Sequence, residues 1–161
     1  MRFTELPLKG AFLIEIEPHF DERGYFARTF CHQEFNSRGL MGNFVQCSTS
    51  YNLKKGLIRG LHFQIAPYQE TKIVRCTQGA IFDVLVDLRE ASPTYKQWYG
   101  IELTSRNGKM LYIPKNFAHG FQVLEDGSEV FYMMDEYYER NAARELSPFS
   151  PEIKPISWPL N

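Results

Sequence analysis

The sequence of 161 residues has little cysteine and no large excess of either charge. Its three cysteines, Cys31, Cys47 and Cys76, are odd in number and include no Cys-x-x-Cys spacing. This argues against a disulfide framework and a structural zinc site, and free thiols fit a reducing compartment. The formal net charge of −1 argues against nucleic-acid binding, which usually needs a basic face.

Long apolar runs and common cofactor motifs are also missing. No stretch approaches the roughly 18 apolar residues that span a bilayer, and the N-terminus lacks the apolar core of a signal peptide. We therefore expect a cytoplasmic, soluble protein with no membrane partner. There is no GxGxxG, Walker loop, GxSxG or HExxH motif. His62 is followed two residues later by Gln64 rather than a second histidine, so we predict no catalytic metal.

What the sequence does contain is a series of short alternating runs, separated by turn residues. Alternate residues from Phe82 to Leu88, and again from Tyr99 to Leu103, are apolar, which is the period of a strand. Asn107-Gly108 and Asp126-Gly127 each lie between two such runs and are strong hairpin signals. The pattern predicts one all-β domain, residues 1–161, built as a sandwich or barrel.

Helix is predicted only in short pieces. HQEFNSRG, residues 32–39, fits a short helix ended by Gly39, and NAARE, residues 141–145, fits a single helical turn. The proline-rich tail, residues 147–161, is expected to pack as extended chain over the barrel.

Polar residues within apolar strand context are the candidates for chemistry, because burying them is costly unless they are satisfied or used. In GLIRGLHFQ, residues 56–64, Arg59 suits phosphate binding, and His62 suits a general base because its pKa lies near neutrality. A core histidine and a surface arginine are the alternatives. Lys72 could stabilise an enolate oxygen from inside the barrel, or be a solvated strand-edge residue.

Three further segments carry candidates of the same kind. His119 lies between Phe117 and Phe121, as a site residue or a hydrogen-bonded core histidine. Tyr132 could donate a proton, and Tyr137 or Tyr138 could stack on a base or sugar ring, although strand tyrosines are common. Arg23, in an Asp-Glu-Arg-Gly turn, could reach a phosphate or be an exposed turn charge.

These segments, in this order, resemble the dTDP-4-dehydrorhamnose 3,5-epimerase family over nearly the whole chain. The most specific matches are RGLHFQ (residues 59–64) and PKNFAHGF (residues 114–121). Others are DERGYF (21–26), FVQ (44–46), KIVRC (72–76), FDVLVDLR (82–89), SPTY (92–95), Tyr132 and ISWP (156–159). The resemblance implies a cupin-type jelly roll, a homodimer and no redox cofactor. The implied reaction is epimerisation of a nucleoside-diphosphate keto-sugar through an enolate.

The resemblance also implies a role for each matching residue. His62 would remove the proton alpha to the C4 ketone, Lys72 would hold the enolate oxygen, and Tyr132 would return a proton on the opposite face. The diphosphate would be bound by Arg59 and by Arg23, whose segment reaches into the neighbouring subunit in such dimers. Gln46 and His119 would line the sugar pocket, and Ser48 and Tyr138 are further candidates for substrate binding.

The chain departs from the family at four points. Ser48 replaces an asparagine, and Asn116 replaces a turn glycine and should keep its positive φ. Arg28 stands where a glutamate meets thymine; arginine only donates, which suits N3 of cytosine and makes a CDP-linked substrate a hypothesis. No residue of the sequence matches the C-terminal aspartate that orients the histidine, and Asp83 or Asp87 are candidates to replace it.

These departures leave two alternatives to an epimerase that acts at C3, C5 or both. The first is a nucleotide-sugar binding protein without catalysis. The second is a ketoisomerase that moves the carbonyl between C4 and C3, which would use the same base and enolate chemistry.

Overall fold

A computed structural model describes residues 1–160, and nearly all of its regular structure is β-strand. The helix and strands within this range are β1 (Arg2–Glu5), β2 (Phe12–Glu15), β3 (His19–Asp21), β4 (Gly24–Phe26), α1 (His32–Asn36), β5 (Gln46–Asn52), β6 (Ile58–Gln64), β7 (Lys72–Gln78), β8 (Ala80–Asp87), β9 (Trp98–Thr104), β10 (Lys109–Ile113), β11 (Phe117–Val123), β12 (Ser128–Met134) and β13 (Ala143–Glu145).

The strands form two facing antiparallel sheets and a small separate hairpin. The six-stranded sheet has the order β1-β2-β10-β7-β12-β5, and the five-stranded sheet has the order β13-β6-β11-β8-β9. The hairpin consists of β3 and β4. The predicted all-β jelly-roll sandwich is therefore confirmed.

The two hairpins predicted from turn signals are wrong. Asn107-Gly108 joins β9 of the five-stranded sheet to β10 of the six-stranded sheet, and Asp126-Gly127 joins β11 to β12 in the same way. Each turn reverses the chain, but the following strand enters the opposite sheet instead of pairing with its predecessor. Crossing between sheets at tight turns brings strands from distant parts of the sequence together around one interior.

The core has three layers. The space between the sheets is filled by apolar side chains such as Leu85, Leu111 and Val130. The outer face of the six-stranded sheet is covered by aromatic residues around Phe35 of α1. The outer face of the five-stranded sheet packs against Ile153, Ile156 and Trp158, so the tail lies over the sheet as predicted.

The local predictions had mixed outcomes. The helix at residues 32–36 is confirmed, with Gly39 at a φ of +69° just beyond it, and Asn116 keeps a φ of +64°. The predicted helical turn in residues 141–145 is wrong: Ala143–Glu145 form β13, which pairs with β6. Within residues 1–160, no helix has the length and apolar character needed to cross a membrane.

Candidate active site

A cavity of about 460 Å³ opens between the two sheets at one end of the sandwich. Both sheets and the segment after β12 contribute to its wall. The lining residues are Gln46, Ser48, His62, Phe63, Gln64, Glu70, Lys72, Tyr132, Met134, Tyr138, Ala143 and Arg144. Six of the ten predicted site residues are therefore brought together here: His62, Lys72, Tyr132, Gln46, Ser48 and Tyr138.

The three predicted catalytic residues stand on opposing walls of this cavity. His62 belongs to β6 in the five-stranded sheet, whereas Lys72 on β7 and Tyr132 on β12 belong to the six-stranded sheet. β7 and β12 are direct neighbours, with Lys72 opposite Met134 and Tyr132 opposite Val74. A flat ring held between the sheets would face the imidazole on one side and the phenol on the other.

Gly60 allows β6, the strand that carries His62, to approach β11 closely. A side chain at Gly60 would place its Cβ 2.7 Å from the carbonyl oxygen of His119, which is shorter than any real contact. Gly60 also has a φ of +110°, a conformation that favours glycine. The ladder between β6 and β11 is irregular at this point, between the pairs His119–His62 and Phe121–Arg59. The close approach and the bulge together re-aim the side chains of β6.

The environment of His62 favours its neutral form. Although the side chain is open to the cavity, desolvation lowers the pKa of His62, and the charges of Lys72, His119 and Arg59 lower it further. Glu145 opposes this effect and raises the pKa, because β13 places it directly opposite His62 in the ladder. A neutral imidazole is the form that can accept a proton.

The environment of Tyr132 favours its protonated form. Burial raises the pKa of Tyr132 far above its usual range, and the carboxylate of Asp83 adds to the rise. The hydroxyl of Ser50 and the charge of Arg59 act in the opposite direction but do not offset burial. Tyr132 can therefore serve as a proton donor near neutral pH, opposite a neutral histidine.

His119 lies beside the cavity but not on its wall. Its Nε2 lies 2.9 and 3.0 Å from the two carboxylate oxygens of Asp83, and both residues are buried. The His119 ring meets the Tyr132 ring edge to face, with centroids 6.0 Å apart. Burial raises the pKa of Asp83, whereas His119 and Lys72 lower it. His119 thus packs behind Tyr132 as half of a buried, hydrogen-bonded pair with Asp83.

Neither aspartate suggested as a substitute for the orienting carboxylate contacts His62. Asp83 pairs with His119. Asp87 accepts hydrogen bonds from Arg89, Ser92 and Thr94, and its pKa lies well below the usual range. The prediction that Asp83 or Asp87 orients His62 is therefore wrong. Asp83 orients His119 instead, and Asp87 holds the loop after β8.

Two glutamines hold the segment that carries Tyr138. The Tyr138 backbone N–H donates to Oε1 of Gln46, 2.8 Å away, and the Glu139 N–H donates to Oε1 of Gln64, 2.7 Å away. Gln64 Nε2 in turn donates to the Tyr137 carbonyl. The Tyr138 side chain is left 67% exposed at the mouth of the cavity, where a flat ligand could stack on it.

Arg59 is positioned near the cavity without lining it. Its Nε donates to Oδ1 of Asn52, 2.6 Å away, and Asn52 is itself fixed by bonds to the carbonyls of Ser50 and Ser128. The charge of Arg59 influences the pKa of both His62 and Tyr132. Such a held, partly free guanidinium suits an anionic ligand.

The other two predicted arginines lie away from this cavity. Arg23 occupies the turn between β3 and β4, is 82% exposed and pairs with Asp21. Arg28, just after β4, lines a separate cavity of about 240 Å³ together with Glu17, His19 and Glu34. The structure of one chain therefore does not bring Arg23 and Arg28 to His62.

The sequence reasoning missed Glu70. Its Oε1 lies 2.8 Å from Nζ of Lys72, and the two side chains are only 12% and 13% exposed. In the run Tyr68-Gln-Glu-Thr-Lys, Glu70 has the appearance of a solvated loop residue. Its spacing of two from Lys72 was the available signal, because residues i and i+2 of an extended chain share a face.

Comparisons with known proteins agree on one family. The family model described as dTDP-4-dehydrorhamnose 3,5-epimerase matches residues 5–161. A protein of that name from Methanothermobacter thermautotrophicus is 43% identical over 159 residues, covering 99% of this chain and 84% of the relative.

Solved structures give the same answer. The enzyme of that name from Bacillus anthracis, with TDP and PPi bound, aligns with a TM-score of 0.95 and 39% identity, covering 99% of this chain and 91% of that one. A dTDP-6-deoxy-D-glucose-3,5-epimerase from Legionella pneumophila, in complex with dTDP-4-keto-L-rhamnose, aligns with a TM-score of 0.92 and 34% identity, covering 99% and 84%. With the opposed histidine and tyrosine walls described above, these matches show that the chain belongs to the dTDP-4-dehydrorhamnose 3,5-epimerase family.

Proposed function

We propose that this protein epimerises a nucleoside-diphosphate 4-keto-6-deoxy sugar at C3, C5 or both, without a redox cofactor. The observation that carries the proposal is the opposition of His62 and Tyr132 across one cavity. The ketone acidifies the neighbouring C–H bonds. His62 removes such a proton from one face of the ring, Lys72 stabilises the enolate oxygen, and Tyr132 returns a proton to the other face, which inverts the carbon.

The protonation states favour this assignment of roles. A lowered pKa leaves His62 neutral and able to accept a proton, and a raised pKa keeps Tyr132 protonated and able to donate one. Nζ of Lys72 keeps donors free after pairing with Glu70, since an ammonium has three.

The test is hydrogen exchange in D2O with dTDP-4-keto-6-deoxyglucose, followed by NMR at C3 and C5. We expect exchange that falls about 10²–10⁴-fold in His62→Ala, the usual contribution of a general base. We expect Tyr132→Phe to keep exchange but form no new epimer. Exchange that is unaffected in His62→Ala would contradict the role of the base.

The same experiment separates the two alternatives. Binding without any exchange, with dTDP, UDP, GDP and CDP conjugates alike, would favour a non-catalytic binding protein. Exchange that yields a 3-keto product would favour a ketoisomerase.

The proposal includes a homodimer in which Arg23 completes the partner's site. The β3–β4 hairpin carries Arg23 and exposes Phe20, Tyr25 and Phe26 at 75%, 57% and 72%, an unusual cluster of aromatic surface for an isolated chain. A second copy that covers this hairpin would bury the aromatic rings, and Arg23 would then add a positive charge to the cavity near Arg59.

Mixing two inactive variants tests the shared site. His62→Asn and Arg23→Ala should each be impaired alone. After exchange of subunits in a 1:1 mixture, one site of each mixed dimer would be intact, so about a quarter of wild-type activity should return. A mixture no more active than its components would contradict a site shared between subunits.

Arg28 supports a hypothesis about the nucleotide. Because arginine only donates hydrogen bonds, it suits the N3 acceptor of cytosine better than the N–H of thymine. In thermal-shift measurements CDP should stabilise the protein more than dTDP, and Arg28→Glu should reverse the order. Much stronger stabilisation of the wild type by dTDP than by CDP would refute the hypothesis.

The cellular setting belongs to the same proposal. The cysteines Cys31, Cys47 and Cys76 are free thiols, which fits the reducing cytoplasm. A 4-keto-6-deoxy sugar nucleotide is an intermediate on the way to deoxysugars, so we place the protein in the biosynthesis of cell-surface polysaccharide.

A further inference from the structure

The cavity contains an ion pair that the reaction described above does not require. Lys72 and Glu70 both line the cavity, and their charged groups are 2.8 Å apart. Each side chain is largely enclosed, at 13% and 12% exposure. Withdrawing a carboxylate from water is costly, so its presence beside the enolate-stabilising lysine calls for a function.

Glu70 is held firmly at this place. It lies two residues before Lys72 and shares its face of the chain. Between them, the Thr71 backbone N–H donates to Oδ1 of Asp135 at 2.6 Å, which fixes the backbone just before β7 begins. Among residues 1–160, Lys72 Nζ is the group that contacts the Glu70 carboxylate, through Oε1. The carboxylate therefore keeps acceptor capacity that faces the cavity.

The pair presents a donor and an acceptor side by side. Lys72 can donate to a carbonyl oxygen, and Glu70 can accept from a hydroxyl. An α-hydroxy ketone carries the complementary groups on adjacent carbons, with its two oxygens about a hydrogen-bond length apart. In a 4-keto-6-deoxy hexose the only hydroxyl next to the ketone is at C3, because C5 carries the ring oxygen and the methyl carbon.

We propose that Glu70 and Lys72 together recognise the α-hydroxy ketone unit of the sugar, with Glu70 accepting a hydrogen bond from the C3 hydroxyl. Glu70 is then a specificity-determining residue that selects sugars with a free hydroxyl at C3. It also fixes the direction of the ring, with C3 towards Glu70 and C5 away from it. This inference rests on the proposed function, because it assumes a 4-keto sugar in the cavity.

The test is a comparison of two ligands in a background that cannot react. Binding of 4-keto-6-deoxyglucose and of its 3-deoxy counterpart, each as the dTDP and the CDP conjugate, is measured by calorimetry with His62→Asn. A hydrogen bond to a charged group is worth roughly 1.5–3 kcal/mol, so the hydroxylated ligand should bind about tenfold tighter or more. Adding Glu70→Ala should bring the two affinities close together by weakening the hydroxylated ligand.

Two further variants complete the design. Glu70→Gln retains an amide oxygen that can serve either Lys72 or the hydroxyl, so an intermediate preference is expected, and it stands in for Glu70→Ala if that variant does not fold. Glu90→Gln, at an exposed glutamate outside the cavity, should keep the full preference.

The outcomes separate the two proposals. A preference for the hydroxylated ligand that survives in both Glu70 variants would overturn the role of Glu70 and leave the epimerase proposal intact. Binding of neither keto-sugar by the His62→Asn protein would overturn the proposed function, on which this inference rests.

Discussion

Two histidines face each other across the β6–β11 ladder, and their surroundings differ sharply. His119 is 4% exposed and pairs with the buried Asp83, whereas His62 is open to the cavity and has Glu145 opposite it on an edge strand. Both stood in apolar strand context in the sequence. The Asp83 carboxylate thus holds His119 behind the wall, whereas the imidazole of His62 remains accessible from the cavity.

The largest expected effect is on stability, at the buried pair. His119→Leu should reduce the free energy of unfolding at pH 7 by about 3–5 kcal/mol, because it leaves the Asp83 carboxylate buried without a partner. His62→Leu, the matched control in the cavity, should change it by less than about 0.5 kcal/mol. Urea denaturation measures both values. Equal losses would remove the distinction between the two histidines.

The loss of stability in His119→Leu should depend on pH, which further distinguishes His119 from His62. Burial raises the pKa of Asp83 above its unfolded value, and removing His119 removes an influence that lowers it. The folded variant therefore binds a proton more readily than the unfolded chain. Its stability should rise as the pH falls through the raised pKa, with the gain complete near the unfolded value of about 3.9.

This pH dependence is tested by measuring urea midpoints from pH 7 downwards. The two proteins to compare are His119→Leu and the double variant His119→Leu/Asp83→Asn. The deficit of the single variant should shrink with falling pH, whereas the double variant should lack this recovery. A constant deficit in the single variant would mean that Asp83 stays protonated throughout.

The smallest expected effect is at Glu145. Its charge raises the pKa of His62, so Glu145→Gln should lower that pKa and move the acidic limb of the kcat/KM profile to lower pH. Glu145→Asp keeps the negative charge, so its acidic limb should lie at the same pH as that of the wild type. A profile that does not move in Glu145→Gln would show that solvent screens this edge of the ladder.

Local patterns in the sequence predicted much of the fold and several residues of the cavity wall, and the family resemblance added Gln46 and Ser48. Alternation placed Val84 and Val86 on one face, and the polar interruptions at His62, Lys72 and Tyr132 marked the cavity. Turn signals did not reveal partners, because Asn107-Gly108 dictates a reversal of the chain but not the sheet that the next strand joins. That choice depends on burial across the whole sandwich.

The residues that escaped prediction share a physical cause. Glu70 lies in a polar run before β7, and its enclosure in the cavity and its pairing with Lys72 arise only in the folded chain. The residues 141–145 have good helix formers, yet they form β13 because the edge of β6 offers unpaired backbone groups. Tertiary pairing overrides local preference in both cases.

The crossing of the chain between sheets also has a kinetic consequence. The cavity walls join strands far apart in sequence: β5 pairs with β12, which aligns Gln46 with Met134, and β6 pairs with β11. Such non-local pairing requires the chain to close long loops, which costs entropy, before the strand contacts stabilise the fold. Refolding should therefore be slow, in the range of about milliseconds to seconds. The protein should therefore regain activity only at the end of folding, because no early, locally formed segment contains two opposing walls.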